Sequence, residues 1–159
     1  MVDWTLENIP TTSHPSILEI GSGNGTLLFA LREAGYTASH LSGIDYSPDA
    51  VKLARMAART RNSEQITFYV CDFLSELPPQ PPPPPLPSPT ASGRHDVDAP
   101  GLWDLLLDKG TYDAIALGEK DESGGSPIAA YPVRASKLLR ENGYFLITCE
   151  SQDDLITHR

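Results

Sequence analysis

Apolar residues in this chain fall into short clusters divided by polar, glycine-rich breaks, and the spacing within the clusters alternates between strand and helix periods. Ser16 to Ile20 is a short apolar run that leads into glycine-rich sequence and predicts a strand. Thr26 to Ala34 follows with Leu27, Ala30, Leu31 and Ala34 on one helical face, and Gly35 ends it as a C-cap. Leu41 to Ile44 predicts a second strand. Ser47-Pro48 then supplies an N-cap and a first helical residue for a helix with Val51, Ala54 and Ala58 on its inner face. Ile66 to Cys71, rich in β-branched and aromatic residues, predicts a third strand, and Trp103 to Leu107 a fourth. A later helix carries Tyr131, Ala135, Leu138 and Leu139 on one face; Asn142-Gly143 makes a turn, and Tyr144 to Thr148 predicts a fifth strand. Strands alternating with helices predict an α/β fold, a mostly parallel sheet covered on both faces.

One stretch interrupts the alternation. Pro78 to Pro100 begins with a dense run of prolines and continues in small and polar residues. Proline fixes φ and lacks an amide donor, so neither helix nor sheet can use such a run. The expectation is a single domain over 1–159 with a proline-rich disordered insertion at 78–100. A tolerated surface loop explains the insertion; a proline-binding domain is the partner it would suit.

Composition narrows the picture. The chain has 159 residues, 40% of them hydrophobic, enough for one core. No run reaches the ~20 apolar residues of a membrane span, and Met1-Val2-Asp3-Trp4 lacks a signal-peptide pattern. No membrane partner and a cytoplasmic address are therefore expected. Cys71 and Cys149 read as free buried thiols in a reducing compartment. His14, His40, His95 and His158 are scattered, and no pair has ligand spacing, so no metal is expected. A net charge of −9 argues against nucleic acid as a partner, because a phosphate backbone demands a basic face.

The candidate chemistry lies at the strand ends. Leu18-Glu19-Ile20-Gly21-Ser22-Gly23-Asn24-Gly25 joins the first strand to the first helix, where glycines let backbone approach a ligand. A dinucleotide loop wants Gly-x-Gly-x-x-Gly; here the third glycine, Gly25, comes one residue early, and the Glu19 carboxylate would repel a pyrophosphate. S-adenosylmethionine has no phosphate and carries a sulfonium and an ammonium, so nearby acids favour it. Each of the first four strands has an acid at or near its carboxyl end: Glu19, Asp45, Asp72 and Asp108. Ligands of open α/β sheets bind at that edge. Asp45, twenty residues after Gly25, can accept both ribose hydroxyls; Asp72 can meet an adenine amino group, with Phe73 as amide or apolar wall. Asp108 should stand where a transferred methyl group points, with Lys109 and Thr111 shaping the loop around it. Asp104 reads as structural.

These residues resemble the class I S-adenosylmethionine-dependent methyltransferases, and most closely the lysine methyltransferases of translation elongation factor 1-alpha. The likeness rests on the Gly21 to Gly25 loop running into Thr26, on Gly43-Ile44-Asp45-Tyr46-Ser47, on Cys71-Asp72-Phe73, and above all on Asp108-Lys109-Gly110-Thr111-Tyr112-Asp113-Ala114-Ile115. Ser136-Lys137-Leu138-Leu139 and Gly143 to Cys149 extend it. The resemblance implies a Rossmann-like fold and an S-adenosylmethionine site built from Glu19, Gly21, Gly23, Asp45, Asp72 and Phe73; Asn24, Gly25, Tyr46 and Asp108 are further candidates for that site. It also implies methyl transfer to a lysine amine of elongation factor 1-alpha; the mechanism expected for this chain has Asp108 orienting the amine, Tyr112 or backbone carbonyls assisting, and water taking the proton. The family has a longer segment before its first strand and two strands after its fifth, so this chain is expected to lack the last two strands. The family's fifth strand runs on through Cys-Asn-Trp; here Cys149 is followed by Glu150-Ser151. The alternatives are a methyltransferase for another protein or small molecule, and a non-catalytic scaffold that keeps the fold.

Overall fold

The computed structural model describes residues 1–83, 102–118, 127–148 and the backbone of 157–158. The chain runs α1 (Val2–Asn8), β1 (Ile17–Ile20), α2 (Thr26–Glu33), β2 (Leu41–Asp45) and α3 (Pro48–Thr60). It continues through β3 (Thr67–Val70), β4 (Trp103–Lys109), α4 (Thr111–Ala116), α5 (Tyr131–Ser136), β5 (Leu139–Thr148) and β6 (Thr157–His158). The strands form one sheet in the order β3-β2-β1-β4-β5-β6. The pairings among β1 to β5 are parallel, as the alternating pattern requires.

Both faces of the central strands are apolar because both are covered. Along β4, Leu105 and Leu107 join one core with Ile17, Leu28, Leu31, Val51 and Ala54. Leu106 and Trp103 join the other with Leu18, Ile20, Ile44, Tyr131 and Ala135. The period-2 alternation of a strand sends successive leucines to opposite sides. Local signals behave as their chemistry predicts. The Ser47 hydroxyl accepts from the Ala50 amide at 3.3 Å, with Pro48 as the first helical residue of α3. Past Gly35, the Tyr36 amide donates to the Leu31 carbonyl at 3.1 Å and closes α2.

Four local features differ from the sequence expectations. The first residues form α1, whose end is pinned by the buried Tyr36 hydroxyl donating to the Ile9 carbonyl at 2.7 Å. The turn after β4 is wound into α4, because Asp108 accepts from its first amides. The later helix stops at Ser136 and β5 starts at Leu139. Trp103 pairs with Leu139 and Leu105 with Tyr144, so Arg140 to Gly143 bulge out of the strand instead of forming a separate turn. Finally, the sheet does not end bare after the fifth strand. Thr157 and His158 pair antiparallel with Leu146 and Phe145. The insertion is described only through Pro83, as coil; the rest of 78–100, and Cys149, lie outside the described residues.

Candidate active site

Strand order reverses between β1 and β4, since β1 leads outward to β2 and β3 on one side and to β4 and β5 on the other. The carboxyl ends of these two strands therefore bound a crevice. A cavity of about 510 Å³ opens there. Gly21 of the first loop lines it, with Asp45 and Tyr46 at the end of β2, Asp72 and Phe73 after β3, and Lys109 to Thr111 at the end of β4. Ile20, Ile44, Cys71, Leu74, Ala114 and Ile115 supply its apolar walls. A second cavity of about 410 Å³ shares Gly21 and Lys109 with the first and adds Glu19, Ser22 and Asn24.

The glycine loop takes its shape from two close packings. Gly21 has φ of +70°, and a Cβ there would meet the Thr111 Oγ1 at 1.8 Å. Gly25, with φ of +80°, caps α2, and a Cβ would strike the Phe68 ring at 2.6 Å. Only glycine meets both demands at either position. Gly25 therefore serves packing, and Asn24 serves a local turn, accepting from the Thr26 hydroxyl at 2.6 Å. Gly23 reaches the site through Asp45: its amide donates to one carboxylate oxygen at 2.8 Å, and the Ser47 amide donates to the other at 2.9 Å. Asp45 thus joins the glycine loop to the start of α3.

Glu19 is 4% exposed, and its Oε2 has no hydrogen-bond partner among the described residues. Burial pushes its pKa well above the usual carboxylate range; Lys109 opposes this, and the charges of Asp108 and Asp45 add to it. Asp72 is exposed and caps its own turn, accepting from the Leu74 amide at 3.0 Å and the Ser75 hydroxyl at 2.7 Å. The Ser75 hydroxyl and the Leu74 amide hold its pKa down.

Asp108, expected where a transferred methyl group would point, is not among the residues that line the 510 Å³ cavity. It is fully buried, and its carboxylate accepts from the Thr111 amide at 2.7 Å, from the Tyr112 amide at 3.0 Å and from the Tyr131 hydroxyl. Desolvation raises its pKa, while the Tyr131 hydrogen bond and the two amides lower it. A carboxylate so placed acts on the site through the backbone it holds. Tyr112 is half-buried, edge-on to Tyr131 at 5.5 Å. Asp104 is structural, accepting from the Ser16 amide at 2.6 Å and the Ser16 hydroxyl at 2.7 Å.

Sequence reasoning missed the apolar walls from Cys71, Leu74 and Ile115, whose signal was only that they flank the acids. Tyr131 and Arg134 were also missed as site supports, because a helical core position and a surface arginine carry no special signal.

The strand order, the glycine loop after β1 and the acids at the carboxyl ends of β1 to β4 define a Rossmann-like class I methyltransferase fold. The family described as "Methyltransferase domain" matches residues 11–159, and the chain belongs to it. It is 32% identical to "Protein-lysine N-methyltransferase EFM4" of Saccharomyces cerevisiae over 98% of this chain and 62% of that protein. It is 35% identical to "EEF1A lysine methyltransferase 2" of Mus musculus over 84% of this chain and 45% of that protein. The chain thus spans about half to three-fifths of the length of these relatives. The glycopeptide N-methyltransferase MtfA complexed with sinefungin superposes with a TM-score of 0.62 at 13% identity, over 91% of this chain and 50% of that one, a likeness of fold.

Proposed function

We propose that this chain is an S-adenosylmethionine-dependent protein-lysine N-methyltransferase acting in the cytoplasm on translation elongation factor 1-alpha. The observation that carries the donor assignment is the pair of adjoining cavities at this sheet edge, lined by Asp45 and Asp72 in one and by Glu19 in the other. A donor with a sulfonium and an ammonium suits that charge; a pyrophosphate does not. The buried Oε2 of Glu19, without a partner among the described residues, is an acceptor awaiting a cationic or hydrogen-bonding group. The names of the relatives support the lysine and elongation-factor halves of the reading.

When bound, the donor supplies an electrophilic methyl on a good leaving group. The chain's own work is to bind and align, which can supply several kcal/mol of a barrier of this kind. Asp45 would accept the ribose hydroxyls, Asp72 and Phe73 would meet the adenine, and Gly21, Gly23, Asn24 and Gly25 would bring the loop backbone to the donor. Tyr46, 79% exposed on the cavity rim, would cover it. Asp108 would hold the Lys109 to Tyr112 turn in place. A lysine ammonium must lose its proton before attack, and water at the open rim, with Tyr112 assisting, would receive it.

The test is incubation of the purified chain with elongation factor 1-alpha and labelled S-adenosylmethionine, with mass spectrometry of the lysines. Methylation that is lost in Asp45→Ala supports the reading. A folded chain that binds no donor by calorimetric titration, with NAD as control, refutes it.

A further inference from the structure

We infer that Tyr131 is a positioning residue of this site: its buried hydroxyl latches the Asp108 carboxylate and through it fixes the Lys109 to Thr111 rim of the cavity. The functional half of this inference rests on the methyl-transfer reading above; the latch rests on geometry alone.

Tyr131 and Asp108 are both 0% exposed. The Tyr131 hydroxyl is the side chain that donates to Asp108 among the described residues, alongside the Thr111 and Tyr112 amides. A buried carboxylate that loses one donor is left with an acceptor that water cannot reach. From Asp108 the constraint passes to Thr111, whose hydroxyl donates to the Ile20 carbonyl at 3.1 Å and fills the space beside Gly21. The rim after β4 and the loop after β1 are thereby held to each other. The same short helix grips another wall. Arg134 Nε donates to the Phe73 carbonyl at 2.5 Å and Nη2 to the Glu76 carbonyl, with the guanidinium 5.7 Å over the Phe73 ring. One face of α5 therefore ties together two of the segments that line the cavity.

The Tyr131 ring packs edge-on against Phe73 at 4.7 Å and stacks on Phe145 at 6.2 Å, so Tyr131→Phe removes the hydroxyl and keeps the packing. In the full chain, hydrogen exchange at the Thr111 and Tyr112 amides should speed up about tenfold or more in this variant, with little change in β2. Unchanged protection would overturn the latch. Affinity for S-adenosylmethionine should fall about tenfold, with a shifted pH dependence. The titratable groups that act on Asp108 are Tyr131, Asp113 and Glu19, alongside the Thr111 and Tyr112 backbone amides. Without the Tyr131 donor Asp108 takes up a proton more readily, so the variant should lose affinity at a higher pH than the wild type does as the solution is acidified. A pH-independent loss, or none, would overturn the functional half.

Asp108→Asn weakens the same contact from the other side and should speed up the same two amides. Tyr131→Phe should add little in that background, and full additivity of the two changes refutes a shared path. If the wild-type chain itself binds no donor, the methyl-transfer reading and the functional half resting on it fail, while the exchange measurement still decides the latch.

Discussion

Replacing Glu19 by glutamine should make the free protein more stable and the donor complex weaker, and both effects should grow with pH. The side chain is almost wholly buried beside β4, and Oε2 has no partner among the described residues. In the unfolded chain it titrates as an ordinary glutamate; in the fold its pKa is raised, first by desolvation. Linkage fixes the sign. The folded state binds this proton more tightly, so Glu19 costs nothing below its unfolded pKa, and stability falls as pH rises through the folded value. Within that window the loss can reach about 1.4 kcal/mol per pH unit. Glutamine, an uncharged isostere, escapes it. The difference in Tm between variant and wild type should therefore widen from acidic to alkaline pH, at about 2–4 °C per kcal/mol for a domain of this size. Thermal melts from pH 5 to pH 9 measure it. Titration with S-adenosylmethionine should show the opposite preference, since a hydrogen bond from a cationic group to a carboxylate is worth about 1.5–3 kcal/mol. A variant that melts in parallel with the wild type at every pH, or binds the donor equally well, would refute the reasoning.

Three further expectations follow from single contacts. Gly21→Ala forces a side chain at positive φ into Thr111 and should cost about 2–5 kcal/mol in urea unfolding; Thr111→Ala should relieve much of this, and no relief would show the clash to be misassigned. Asp45→Ala frees the Gly23 and Ser47 amides, so it should weaken donor binding by about 1.5–3 kcal/mol and increase exchange in the glycine loop; calorimetry and amide exchange read the two effects separately. Tyr36→Phe removes the buried bond to the Ile9 carbonyl and should cost about 1–3 kcal/mol, with faster proteolysis ahead of β1 as the accompanying sign.

The alternating fold was legible in the sequence because strand and helix periods depend on near neighbours. The five parallel strands, the Ser47-Pro48 start of α3 and the stop at Gly35 all follow from chemistry within a few residues. So does the placing of Gly21, Asp45, Asp72 and Phe73 on one edge, since a parallel sheet sends every strand's carboxyl end to the same side. The partners of those groups were not legible. Asp108 and Tyr131 stand twenty-three residues apart in sequence, Ile20 and Thr111 ninety-one, and each pair meets only once the sheet is assembled. A sequence can mark an acid at a strand end. Whether that acid faces the cavity, as Asp45 does, or turns inward to hold a helix start and a tyrosine, as Asp108 does, depends on which faces are buried and which donors arrive from elsewhere in the chain. Tertiary packing decides both.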